Sequence, residues 1–96
     1  MDVGAFLAQR TPPPPPALGR WLAAGPLDGE ATEALLRGGV AELARARRSP
    51  GKVRSSAWHL LAADALLTYA CEAALEAAEP PRAFEEILRR AAAEGA

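Results

Sequence analysis

Arg45, Arg47, Arg48, Lys52 and Arg54 place five positive charges within ten residues, around the helix-breaking Ser49-Pro50-Gly51. Such a cluster at the start of a helix suits phosphate or another anion, because the first-turn amides of the helix also point outward. Ser55 and Ser56 add hydroxyls. A plainer origin exists as well: arginines gather at helix C-termini, where they complement the macrodipole, and exposed turns are often charged. No aromatic side chain is interleaved with these cations, as a surface that stacks single-stranded bases favours. His59 is the only histidine and Cys71 the only cysteine. Twelve residues apart on one helix, they stand about 18 Å from each other and cannot ligate one ion. No metal and no cofactor is expected. Asp64, Thr68, Glu72 and Glu76 recur at four-residue steps, but a di-iron site needs Glu-x-x-His on two helices and the chain has none. The ridge reads as a solvent face, or as a partner for Arg37 and Arg45.

Arg54-Ser-Ser-Ala-Trp-His59 resembles the arginine–four-to-six–histidine motif of the HEPN superfamily, all-helical dimeric proteins that include metal-independent ribonucleases. The resemblance implies RNA cleavage in a cleft where the arginine and histidine of two subunits meet, with Arg54 and His59 as the residues carried over. It covers six residues, and Ser55 stands where asparagine, aspartate or histidine is more typical.

The elements that position these residues are helices. Alanine and leucine dominate, β-branched residues are scarce, and no alternating apolar pattern occurs, so the fold class is all-α, a small helical bundle. The central helix is expected over about 56–79, from an N-cap at Ser55 or Ser56 to the Pro80-Pro81 stop. Leu60, Ala63, Leu67, Ala70, Cys71 and Ala74 share its expected inner face, flanked by Leu66 and His59. On that face Cys71 packs as a small hydrophobe. A second long helix spans about 29–47 behind Asp28 as N-cap, with Leu35, Leu36, Gly39, Val40, Leu43 and Ala46 inward. Gly39 on this apolar face predicts close approach of another helix, whereas Gly38 reads as a kink. A last helix, from about Pro81 to Ala93, turns Phe84, Ile87, Leu88 and Ala91 inward and pairs Glu85 with Arg89 and Glu86 with Arg90 outside.

Two segments precede these. Residues 1–16 read as an N-terminal peptide followed by a polyproline spacer over Pro12–Pro16, and 17–96 as the bundle domain. The peptide is too short to be a stable helix alone, so it is either a frayed end or a docking element carrying Val3, Phe6 and Leu7 to a partner. Ala17–Ala24 reads as a short helix whose Leu18, Trp21 and Leu22 cap one end of the bundle.

A formal net charge of −1 gives no global attraction to nucleic acid or an anionic membrane. The lone cysteine, the absence of a cationic-then-apolar leader, and apolar runs broken by His59, Asp64 and Thr68 fit a cytoplasmic protein without a membrane span. A chain of 96 residues builds only a thin core, which favours a homo-oligomer, most simply a dimer through the alanine-rich face of the central helix. The expected function is a non-enzymatic interaction module that binds a protein partner or itself. The alternative is nucleic-acid binding at the 45–54 turn, with HEPN-like RNA cleavage as its extreme form.

Overall fold

The computed structural model describes residues 1–10, 13, 16, 19, 29–49 and 53–95. Four helices occur among them: α1 (Val3–Ala8), α2 (Ala31–Arg47), α3 (Val53–Ala74) and α4 (Pro80–Gly95). The fold is all-α, as the composition requires, and none of these helices is long and apolar enough to cross a membrane. Asp28, Lys52, Pro12, Pro14 and Pro15 of the proline run, and all of the expected Ala17–Ala24 helix but Gly19 lie outside the described residues.

α2 and α3 form an antiparallel hairpin. Its register is fixed by three contacts that step oppositely along the two helices: Ala46 with Ser56, Glu42 with His59, and Gly39 with Leu67. At the last of these the helices approach closely. A Cβ on Gly39 would lie 2.8 Å from Leu67 Cγ and Cδ2 and 3.3 Å from the Leu67 backbone nitrogen. Gly39 is therefore where the second helix needs no side chain, and α2 continues through Gly38 as one helix. The cap of α2 is Glu30, whose carboxyl accepts from the Glu33 amide at 2.9 Å. Burial works to raise the pKa of Glu30, but hydrogen bonds from Glu33 and Thr32 outweigh it and hold the carboxyl below its usual value.

The core is built mainly of alanine, with Leu35, Leu36, Leu66, Phe6 and Ile87 as its large members. Along α3 the buried residues are Ala62, Ala63, Leu66, Ala70, Ala73 and Ala74. This stripe is turned toward Leu66 and His59 relative to the expected one, which leaves Leu60 outside, 54% exposed. The alanine-rich face thus packs inside the chain against α2 and is not a free dimer interface. Cys71 is half-buried beside the core.

α3 ends at Ala74, earlier than the prolines alone dictate. Three successive i→i+3 bonds, from Leu75, Glu76 and Ala77 back to Glu72, Ala73 and Ala74, tighten its exit. Pro80 then opens α4 as a first-turn residue, where its missing N–H costs nothing. Ile87 is buried and Phe84 and Ala91 half-buried, but Leu88, expected inside, is 70% exposed. The outer charges pair differently from the four-residue expectation. Glu86 binds Arg89 three residues on, at 2.6 Å, and Arg90 reaches across to both carboxyl oxygens of Glu33 on α2 at 2.9 Å.

The first ten residues correct the expectation of a peptide separate from the bundle. Asp2 caps α1 by accepting from the Gly4 and Ala5 amides. Val3 N–H donates to Gly29 O at 2.8 Å and Ala31 N–H to Met1 O at 2.7 Å, an isolated antiparallel bridge that stitches the start of the chain to the start of α2. Gly29 takes φ +92°, a conformation side chains disfavour, to make that join. Val3 and Phe6 are each 2% exposed in the core, and Leu7 packs against it. Arg10 stacks over the Phe6 ring at 4.3 Å and pairs with Glu72 of α3 at 2.6 Å.

Two stability changes follow, both read by urea unfolding. Phe6→Ala should lower stability by about 3–5 kcal/mol, since a buried aromatic leaves a cavity; a wild-type midpoint would mean that α1 is not docked. Gly39→Ala gains about 1 kcal/mol of helix propensity but overpacks Leu67 by about 1–3 kcal/mol, so the net effect should be destabilising. In a Leu67→Ala background the same substitution should become neutral or favourable.

Candidate functional site

Among the described residues, the buried charged group is Glu42, fully enclosed on α2. It sits on the inner line Leu35, Gly39, Glu42, Ala46, spaced four, three and four residues, so helix geometry alone drives a carboxyl group into the α2–α3 seam. His59 of α3 meets it there, Nδ1 lying 2.5 Å from Glu42 Oε2. Arg45, one turn on, donates to Oε1 at 2.7 Å. Each carboxyl oxygen therefore has its own partner from the protein, as burial of such a group demands. One turn before His59, Ser56 Oγ donates to Ala46 O at 3.1 Å and closes the same seam.

These partners account for three expected site residues. His59 is turned inward toward α2, its ring satisfied by a carboxyl group. Arg54, five residues earlier, is exposed; at about 100° per residue it projects about 140° around the helix from His59. One chain therefore does not bring Arg54 and His59 together. Arg45 is engaged with Glu42, and Arg47 is tied to the end of α4 through the Glu94 carbonyl and carboxyl group. Arg48 and Arg54 are exposed. The basic turn is thus divided: two of its arginines serve as internal ties, and the described ones do not converge on a shared pocket.

The polar ridge of α3 is read correctly as an outer face, Asp64, Thr68 and Glu76 being exposed. Its Glu72 pairs with Arg10, and Arg45 takes Glu42 instead of the ridge. No group of three or more metal-ligating side chains occurs among the described residues. Val3 and Phe6, expected to reach a partner, are enclosed by their own chain.

The surface of α3 also carries large apolar side chains. Leu61 is 65% exposed, Leu60 more than half exposed and Trp58 over a third. Together with Leu43 of α2, the residues Ala57, Leu60, Leu61, Ala63, Asp64 and Leu67 line an open groove of about 610 Å³ between the two helices. The groove is almost wholly hydrocarbon, with Asp64 as its one charged residue. An inward Leu60, as the spacing predicts, hides this groove; its signal in the sequence is that Trp58, Leu60 and Leu61 lie around more of the helix than one stripe can cover.

The Glu42–His59 pair should behave as one unit. His59→Ala alone should cost about 3 kcal/mol, because it strips a partner from an enclosed carboxyl group, whereas Glu42→Leu with His59→Ala should recover most of that loss. A urea-unfolding cycle with coupling below about 0.5 kcal/mol would show that the contact is not formed.

Comparison with models of protein families, with curated proteins and with solved structures gives no match, so the functional reading rests on the geometry.

Proposed function

We propose that this chain is a non-enzymatic helical interaction module whose outer α3 face docks against an apolar surface of another polypeptide. The observation that carries this reading is the groove between α2 and α3, with Leu60 and Leu61 more than half exposed on its rim. Contiguous exposed apolar surface of this kind marks a contact site, because leaving it in water forfeits about 25 cal/mol for each Å² it would bury. The titratable cluster supports the same direction. The Glu42 carboxyl group is closed off by His59 and Arg45 and is not presented to a substrate. Anion or nucleic-acid binding at the 45–54 turn has less support, since Arg45 and Arg47 are already held by Glu42 and Glu94.

A photo-reactive phenylalanine placed at Leu61 tests the reading in cells that make the protein. Leu61 should give protein adducts that disappear when Leu60→Lys is added, while the same group at Arg82, exposed on α4, should give none. Equal silence at both positions would overturn the proposal. Leu60→Lys itself should change the unfolding free energy by no more than about 0.5 kcal/mol, because this side chain is not part of the core.

A further inference from the structure

The exposed side of α3 carries a short seam with three- and four-residue steps: Arg54, Ala57, Leu61 and Asp64. All four are exposed, and the order along the helix is cation, small apolar, large apolar, anion. Among the described residues neither the Arg54 nor the Asp64 side chain has an ion-pair or hydrogen-bond partner. The seam is symmetric in a way that a face evolved for an unrelated partner need not be. Arg54 and Asp64 lie five residues either side of position 59, and Ala57 and Leu61 lie two either side.

The geometry points to a second copy of this chain as the occupant, its α3 running antiparallel across a two-fold axis beside position 59. In that register each Arg54 faces Asp64 of the second copy, and each Ala57 faces Leu61 of the second copy. The two ion pairs close the ends of the contact, and a leucine fills the recess beside each alanine, which is the small-against-large layering of an antiparallel helix pair. Trp58 and Leu60 flank the seam at the positions that wrap such a pair. A two-fold contact uses one patch on both copies, so a patch must complement itself, and this one does. Parallel pairing in register does not: it sets Arg54 against Arg54 and Asp64 against Asp64. The alanine-rich stripe first expected at a dimer interface is buried within the chain, and this outer seam takes its place. The inference rests on the docking reading above and narrows it to one partner.

The test is the mass of the purified full chain by sedimentation equilibrium across a concentration series, for the wild type, Arg54→Glu, Asp64→Lys and the double variant. The wild type should form a reversible dimer. Each single charge reversal, which creates two like-charge contacts, should weaken association by about tenfold or more. The double variant, with the charges exchanged, should return to within about threefold of wild type. Arg54→Gln, a milder change, should fall between, and helix content by circular dichroism should be unaltered in all. A wild-type monomer throughout, single variants that associate like wild type, or a double variant weaker than either single would each overturn the antiparallel pairing. A monomer whose Leu61 adducts contain a different protein would end this inference and leave the docking reading standing; a monomer without adducts would end both.

Discussion

The approach of α2 to α3 at Gly39 is the constraint on which the rest of the fold depends. With no side chain at Gly39, Leu67 can lie almost on the α2 backbone. The helices then come close enough for Ala34, Ala62, Ala63, Ala70 and Ala74 to fill the space between them. An alanine core removes less hydrocarbon from water per residue than a leucine core, so its cohesion depends on many short van der Waals contacts. Those contacts decay steeply with separation. A methyl group in the wrong place at the crossing would loosen the seam along its length, which is why one glycine governs many alanines.

Small residues pack closely but specify poorly, because one alanine fits where the next one did. The buried Glu42 supplies the missing discrimination. If α2 slid by one turn against α3, the carboxyl group would keep Arg45, which moves with it, but would lose His59. A buried carboxyl oxygen left without its partner is costly. The polar contact thus selects one register among several that apolar packing alone would nearly equate, and Ser56 on Ala46 reinforces the choice from the adjacent turn.

The sequence made the helices and the role of Gly39 legible, because periodicity, proline stops and a glycine on an apolar stripe are local signals. The inner face of α3 was less so. Alanines occur on several sides of this helix, and the side that turns inward is chosen by Leu66 and by the partner helix, not by a unique apolar stripe. Glu42 was unreadable for a different reason: its meaning depends on His59, 17 positions away, and a single glutamate in a charged helix looks like surface. One clue was present, since it falls on the line through Leu35, Gly39 and Ala46. α1 was underestimated because six residues cannot hold a helix alone. Its stability is borrowed from a pocket that other segments build. The exposed apolar face of α3 follows from the rotation of this helix, because with the expected stripe inward Leu60 would be core.

The bridge between Asp2 and Glu30 and the contact of Arg10 with Glu72 also bear on the order in which the chain assembles. The α2–α3 hairpin joins helices close in sequence, with few residues between Arg47 and Val53, and forms from local contacts. Arg10 and Glu72, by contrast, are 62 positions apart. During synthesis α1 therefore emerges well before it can find its place, for its pocket does not exist until α3 has been made. Closing so long a loop carries an entropic cost that only the finished hairpin can repay, so α1 docks late and is the natural first element to let go. A helix that comes early in the sequence is thus late in assembly.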